Sequence, residues 1–168
     1  TRLAQALVRE SAAGFTDGAH LVEFAQVADP ALVPATVSRA VGIPVGDPDG
    51  ALDLTVQALA GRRLLLVLDN CEHLLEAVAR LVAAVLKGAA GVHLLATSQE
   101  LLRDPAEHVY RLGGLALPAD ATVASARTAG ATELFIARVQ SAQPRFALCE
   151  INVEPVIDIC RRLDGIPL

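Results

Sequence analysis

The stretch Leu64-Leu65-Leu66-Val67-Leu68-Asp69 decides the fold of this chain. It is a continuous apolar run that ends in a carboxylate. A run without alternating polar residues is typical of a strand that is buried on both faces, as in parallel sheets covered by helices. The run therefore predicts an inner strand with Asp69 at its carboxyl end.

Segments on both sides of this run alternate between helical and strand patterns. Apolar residues recur at helical spacing over residues 72–87, and residues 92–96 form a second apolar run. Residues 20–25 predict another strand, and residues 108–112 predict a third, weaker one after the apolar run. The alternation predicts an α/β fold with a doubly wound, mainly parallel sheet.

Helical spacing predicts three more helices in the first part of the chain, over residues 1–13, 32–41 and 51–60. Residues 46–50 are rich in glycine, proline and aspartate and predict a loop.

The pattern changes after Pro118. Residues 119–130 are rich in alanine, threonine and serine and predict a linker, and residues 132–143 and 152–163 predict two helices. We therefore expect a core over residues 1–117, and a linker with the first helices of a helical segment over residues 118–168.

Composition excludes several classes of protein. The chain is 53% hydrophobic, so it can bury a core, and its net charge of -5 with no cluster of arginines argues against direct contact with nucleic acid. Its three cysteines, without a CxxC pair, argue against a disulfide framework or zinc site and favour the cytoplasm. No uncharged apolar stretch approaches roughly 18 residues, so we expect no membrane span.

Polar residues follow two of the predicted strands. Ligands of open α/β sheets bind at the carboxyl ends of strands, and a carboxylate there can hold Mg²⁺ beside a nucleotide. Asp69 or Asn70 can equally cap the helix predicted to begin at Glu72. Thr97 and Ser98 can contact a γ-phosphate or an attacking water, or they can bond to nearby backbone.

Two neighbours of Asp69 also have alternative interpretations. His73 can sense phosphate or pair with Asp69, or it can face solvent or cap a helix. Cys71 can be redox-active at a helix start, or it can be a small buried residue, which the sequence favours.

The phosphate-binding motif G-x-x-x-x-G-K-[ST] is absent from the chain. Lys87 is the only lysine, and it lies at the end of a predicted helix. The chain as printed therefore lacks the glycine-rich loop and the lysine that cradle phosphates.

Four segments resemble STAND-class P-loop ATPases, which are related to the NB-ARC and AAA+ groups. Thr1-Arg2-Leu3-Ala4 is similar to the residues that follow the phosphate-binding lysine, and LLLVLDNCEHLL (residues 64–75) resembles a Walker B segment. LLATSQEL (94–101) resembles the sensor segment, and ICRRLDGIPL (159–168) resembles the G-x-P segment that begins the helical lid. The resemblance covers nearly the whole chain and is to the bacterial branch of LuxR-type and SARP-type transcriptional regulators and cyclase-linked ATPases.

The resemblance implies a role for each matching residue. Thr1 would supply a hydroxyl to Mg²⁺, and Asp69 would be the Walker B carboxylate. Thr97 and Ser98 would lie at the end of the sensor strand, and Pro167 would contact the adenine region. The implied cofactors are ATP or ADP and Mg²⁺, bound by a P-loop NTPase sheet that lacks its first strand and is followed by the start of the lid.

The sequence departs from this family at two positions. Gln99 replaces the usual arginine and supplies no charge to a γ-phosphate. Asn70 occupies the place of the glutamate that activates water, and an amide is not a useful base. Glu72 can act as the base in its place, beside the catalytic Asp69. Alternatively, Glu72 can be an ordinary acidic residue in the first turn of a helix, where negative charge is favourable. We therefore expect slow hydrolysis in the intact protein and none in this segment alone.

The resemblance thus implies an ATP- or ADP-binding switch that controls transcription, in which the triphosphate holds the lid against the core. Expected partners are the nucleotide, other domains of the same polypeptide and a second copy on ATP binding. One alternative is a nucleotide-free interaction scaffold with a degenerate ATPase fold. Another, a hydrolase with Thr1 as nucleophile, is disfavoured because Thr1 leads into a predicted helix.

The family places a strand before the phosphate loop inside the sheet. A chain that begins after this loop would leave neighbouring strands with unpaired backbone groups. We therefore expect the 168-residue chain alone to be poorly stable or to aggregate.

Overall fold

The computed structural model describes residues 1–44 and 50–167. The loop predicted over residues 46–50 lies outside the described residues except for Gly50, which is in a turn. Contacts divide the chain into two compact units, Thr1–Val109 (unit 1) and Tyr110–Leu168 (unit 2). The sequence places this boundary a few residues later, at 117/118.

Within its described residues, unit 1 contains a parallel sheet of three strands in the order β1-β2-β3. They are β1 (Ala19–Glu23), β2 (Leu64–Asp69) and β3 (Val92–Ala96). The apolar run at residues 64–69 is therefore the middle strand. The predicted α/β class, the parallel sheet and the inner position of this run are confirmed.

Four α-helices of unit 1 lie close to the predicted ranges. They are α1 (Arg2–Ser11), α2 (Val33–Ala40), α3 (Ala51–Leu59) and α4 (Leu75–Gly88). Short 3-10 turns follow α1 (Ala12–Gly14) and precede α2 (Pro30–Leu32). The helix after β2 begins three residues later than predicted, since residues 72–74 form a turn.

Strand β2 is covered on both faces because successive side chains of a strand point to opposite sides. Leu65 and Val67 pack against Ala4 of α1. Leu64, Leu66 and Leu68 belong to the larger cluster that α2, α3 and α4 complete on the other face. Burying one such leucine contributes about 1.5–3 kcal/mol. Helices on both faces are what a doubly wound sheet requires.

The strand predicted over residues 108–112 is wrong: none of these described residues is in a strand. Val109, Tyr110 and Leu112 are 53%, 85% and 70% exposed. A strand needs a neighbour for its backbone groups, and among the described residues β3 pairs only with β2. The segment has strand-like composition but no described strand to pair with.

The described residues of unit 2 form three helices, α5 (Val123–Thr128), α6 (Gly130–Ala142) and α7 (Val153–Arg162). The two predicted helices correspond to α6 and α7, whereas the predicted linker over 119–130 is wrong in part because it contains α5. Thr122 caps α5 by accepting a hydrogen bond from the Ser125 N–H at 3.2 Å. Ala126 then packs into the small core of this unit.

None of the helices in the described residues combines the length and the apolar character that crossing a bilayer would need.

Candidate functional site

The candidate site lies at the carboxyl end of β2, where Asp69 is the last residue of the strand. Its side chain is 4% exposed. The Asp69 carbonyl accepts a hydrogen bond from the Phe24 N–H at 2.9 Å, which fixes its backbone against the end of β1. Asn70 has a left-handed φ of 67° and turns the chain out of the sheet.

Two hydroxyl groups from distant parts of the chain converge on the Asp69 carboxylate. Thr1 Oγ1 donates to Oδ2 at 2.6 Å, and Thr97 Oγ1 donates to Oδ1 at 2.6 Å. The amino nitrogen of Thr1 lies 3.3 Å from Oδ1. Three residues that the sequence placed at the site, from α1's start and from the ends of β2 and β3, are thus in direct contact.

These contacts determine the charge of Asp69. Burial by itself raises the pKa of Asp69, and hydrogen bonds from the side chains of Thr1 and Thr97 act in the opposite direction. The net pKa is lowered from the ordinary value of 3.8. Asp69 is therefore a buried carboxylate that is ionised at neutral pH.

Thr97 links the ends of β2 and β3. Besides donating to Asp69, its hydroxyl accepts from the Asn70 N–H at 3.1 Å. Its backbone N–H donates to the Leu68 carbonyl at 2.8 Å, and its carbonyl accepts from the Cys71 N–H at 3.0 Å. Any displacement of the Asp69 carboxylate is thus coupled through one side chain to the turn that follows β2.

The structure does not bring Ser98 to the carboxylate. Its hydroxyl accepts from the Glu100 N–H at 3.1 Å and serves the exposed loop after β3. Ser98 therefore follows the local alternative, a strand-end hydroxyl bonded to backbone.

The capping role considered for Asp69 or Asn70 and the first-turn position considered for Glu72 are not realised. Helix α4 has Leu74 as its N-cap and no side-chain cap hydrogen bond. Glu72 lies in the turn before α4 and not in its first turn. The assignment of Glu72 as a base stays a prediction. The assignment of Pro167 to the adenine region also stays a prediction, and Pro167 is an exposed residue of unit 2.

Cys71 is a buried residue whose thiol donates to the Leu68 carbonyl at 3.4 Å. Burial, with the nearby charges of Glu72 and Asp69, raises the pKa of Cys71 to about 12. The thiol is protonated at neutral pH, which argues against a redox or nucleophilic role.

His73 faces the loop after β1, not Asp69. Its Nε2 lies 3.1 Å from the Phe24 carbonyl oxygen and 3.0 Å from that of Val27. Its Nδ1 lies 3.5 Å from the Asn70 side-chain nitrogen. The ring therefore joins the turns after β1 and β2. Sequence reasoning missed this role because its partners are 46 and 49 positions away.

The donor set at Asp69 fits a magnesium ion. One carboxylate and two hydroxyls offer only oxygen, the ligand type that Mg²⁺ prefers, and Mg²⁺ in nucleotide sites takes one or two carboxylates together with phosphates. Among the described residues no group of three or more His, Cys, Asp or Glu side chains could hold a metal by itself. Lys87, the only lysine, lies in the last turn of α4. The contacting residues thus suit the metal and contribute no cationic side chain for phosphates.

Two shallow concave surfaces, of about 450 and 530 Å³, lie elsewhere, in unit 2. The first lies along α7 between Glu154 and Arg162, and the second lies beside the end of α6 between Ala142 and Phe146. Neither includes a residue of the Asp69 site.

Comparisons with known proteins find relatives among large mycobacterial proteins. No family model and no solved structure matches the chain. Over all 168 residues it is 38% identical to proteins of Mycobacterium tuberculosis and Mycobacterium bovis that are provisionally named HTH-type transcriptional regulators. It is also 34% identical over its full length to an uncharacterized protein of Mycobacterium tuberculosis.

The chain spans only part of each of these relatives. It covers 18% of the length of the two regulators and 40% of that of the uncharacterized protein. The chain is thus similar to a portion of larger mycobacterial proteins, some of which carry a regulator name.

Proposed function

We propose that unit 1 is the core of a nucleotide-dependent switch within a transcriptional regulator, of the kind found in STAND-class ATPases. One observation carries the proposal: a buried, ionised Asp69 ends the middle strand of a parallel sheet, and hydroxyls from Thr1 and Thr97 contact its two oxygens. Such a carboxylate at the ligand-binding edge of a sheet is suited to Mg²⁺ and, through it, to ATP or ADP.

Asp69 and Thr1 would hold the metal. A bound Mg²⁺ would neutralise charge on the phosphates of the nucleotide. The Thr97 hydroxyl donates a hydrogen bond to one oxygen of the Asp69 carboxylate and accepts one from the Asn70 N–H. A change in the contacts of Asp69 would thus reach the turn after β2 without passing through a flexible segment.

Slow turnover follows from the residues around Asp69. The side chain of Asn70 cannot accept a proton usefully, and Gln99 supplies no positive charge. Glu72, in the adjoining turn, is the candidate base. A site of this composition is better suited to holding a nucleotide than to hydrolysing it rapidly, as a switch requires.

Ser98 and Pro167 would make further contacts with the nucleotide. Ser98 would act only after releasing the Glu100 N–H, and Pro167 would contact the adenine region from unit 2. Other domains of the polypeptide, and a second copy when ATP is bound, would read the state of the switch.

A second candidate is a scaffold that binds no nucleotide. It is favoured by the same contacts, since both oxygens of Asp69 are already hydrogen-bonded to protein hydroxyls. In this case the carboxylate is a structural clamp that ties the start of α1 and the end of β3 to β2.

Calorimetric titration of the full-length protein with Mg-ATP and Mg-ADP separates the two candidates. The wild type should bind both nucleotides in competition. Asp69→Asn, which keeps shape but removes charge, should weaken binding by about tenfold or more. Glu100→Gln, the same change at an exposed residue of the neighbouring loop, is the matched control and should bind normally. No heat and no competition in the wild type would leave the scaffold as the function.

A further inference from the structure

Two segments of unit 2 cross at unusually close range. The Leu115 N–H donates to the Gly165 carbonyl at 2.8 Å. On the other side of the same segment, the Ala116 carbonyl accepts from the Ala131 N–H at 3.1 Å, at the start of α6. Residues 113–116, which we call the strap, are therefore hydrogen-bonded both to the start of α6 and to the turn after α7.

Glycine is required on both sides of this crossing. A Cβ on Gly114 would come within 2.1 Å of the Asp164 carbonyl oxygen, and a Cβ on Gly165 would come within 2.3 Å of the Leu115 carbonyl oxygen. Both contacts are with backbone, which cannot move aside as a flexible side chain does. By contrast, a Cβ on Gly113 would meet nothing within 4 Å.

The end of α7 directs the Gly165 carbonyl toward the strap. Asp164 and Gly165 are both left-handed, with φ of 50° and 66°. The Gly165 N–H donates to the Cys160 carbonyl at 3.0 Å, and the Ile166 N–H donates to the Leu163 carbonyl at 2.8 Å. The helix thus ends in a turn that uses its own last carbonyls and leaves the carbonyl of Gly165 for Leu115.

We infer that Gly114 and Gly165 are positioning residues that form a backbone clasp, and that this clasp fixes the Ile166-Pro167 segment against the strap. The segment after the turn has few other anchors, since Ile166 is 55% exposed and Pro167 is also exposed. The consequence for nucleotide binding rests on the proposed function: if Pro167 contacts the adenine region, the clasp determines where Pro167 lies and sets the affinity for ADP.

Hydrogen exchange in the full-length protein tests the clasp without any nucleotide. In the wild type, the Leu115 N–H should exchange as slowly as that of Ile166, because both hydrogen bonds open when the turn opens. Gly114→Ala should speed exchange at Leu115 by about tenfold or more, the effect expected from loss of one hydrogen bond. Gly113→Ala, the matched control, should leave it unchanged.

Equal effects of the two alanine variants would overturn the clasp. If Gly114→Ala does not fold, the wild-type comparison decides alone, and a Leu115 N–H that exchanges as fast as that of Gly113 would overturn the inference.

Binding of a fluorescent ADP analogue to the same proteins tests the positioning role. Gly114→Ala should weaken binding by about tenfold, while Gly113→Ala binds as the wild type does. Faster exchange at Leu115 with unchanged ADP affinity would overturn the positioning role. A wild type that binds no ADP but protects Leu115 would defeat the proposed function and leave the clasp standing.

Discussion

Two stretches that the sequence predicts as strands differ in the structure. Strand β2 is buried at all six of its residues and pairs with a strand on each side. Residues 108–112 are in no strand, and their largest side chains are exposed. The comparison shows that an apolar run becomes a strand only where neighbouring strands accept its backbone groups and helices cover its side chains.

Strand β3 lies between these extremes. It pairs with β2 along one edge, and only Val92 is buried among its five residues. Leu95, on the face that α1 covers at β2, is 38% exposed. Partial pairing therefore gives a strand with partial burial. We expect the loss of unfolding free energy on truncating a side chain to decrease in the same order, from β2 through β3 to residues 108–112.

The largest difference should appear when one leucine is truncated in each stretch. Leu66 is 0% exposed, and Leu66→Ala should cost about 3 kcal/mol of unfolding free energy through lost burial and an unfilled cavity. Leu112→Ala, at an exposed position, should cost less than about 0.5 kcal/mol. Equilibrium urea denaturation of both variants measures the difference. Equal costs would mean that residues 108–112 are packed as well as β2.

The next largest effect should come from the hydroxyl that joins the ends of β2 and β3. Thr97→Val keeps the shape but leaves the buried Asp69 oxygen and the Asn70 N–H without this partner, at a cost of about 1–3 kcal/mol. Thr97→Ser, which keeps the hydroxyl, should stay close to the wild type. If Thr97→Ser lowers the denaturation midpoint as much as Thr97→Val does, the methyl group matters and the hydroxyl does not.

A smaller effect should appear as a dependence of stability on pH. Because the folded-state pKa of Asp69 is lowered, its contribution is fully present above the ordinary value of 3.8 and is lost as pH falls through the folded-state pKa. Asp69→Asn should remove this part of the acid-induced loss. Thermal unfolding between neutral pH and pH 3 measures it, and parallel curves for the two proteins would contradict the assignment.

A further small effect should come from the exposed side of β3. Leu95→Thr introduces a β-branched residue, which suits a strand, at a position that is already partly open to solvent, so it should cost less than about 1 kcal/mol. The same denaturation experiment measures it. A cost as large as that of Leu66→Ala would show that this face of β3 is covered in solution.

Local patterns predicted most of the fold. The apolar run at residues 64–68 predicted β2, and helical periodicity predicted the helices that cover it, because both signals depend on neighbours in sequence. Helix α5 was missed because its composition is that of a linker and its stability comes from the Thr122 cap and the burial of Ala126. The strand over 108–112 was wrong because pairing depends on a distant partner.

The candidate site was predicted unevenly. Asp69 was recognised from its place after an apolar strand, whereas Thr1 was placed beside it only by resemblance. The contacts of His73 and the crossing of Gly114 with Gly165 carry no local signal, since each joins segments that lie about fifty positions apart in the chain. Such contacts depend on the assembled fold and not on a pattern in the sequence.

The central claim, that the Asp69 carboxylate holds a nucleotide-bound metal, is tested most directly by measuring ADP affinity of the full-length protein with Mg²⁺ and with EDTA. The wild type should bind ADP about tenfold or more tightly with Mg²⁺, and Asp69→Asn should show little response to the metal. A variant that responds to Mg²⁺ as strongly as the wild type would contradict the claim.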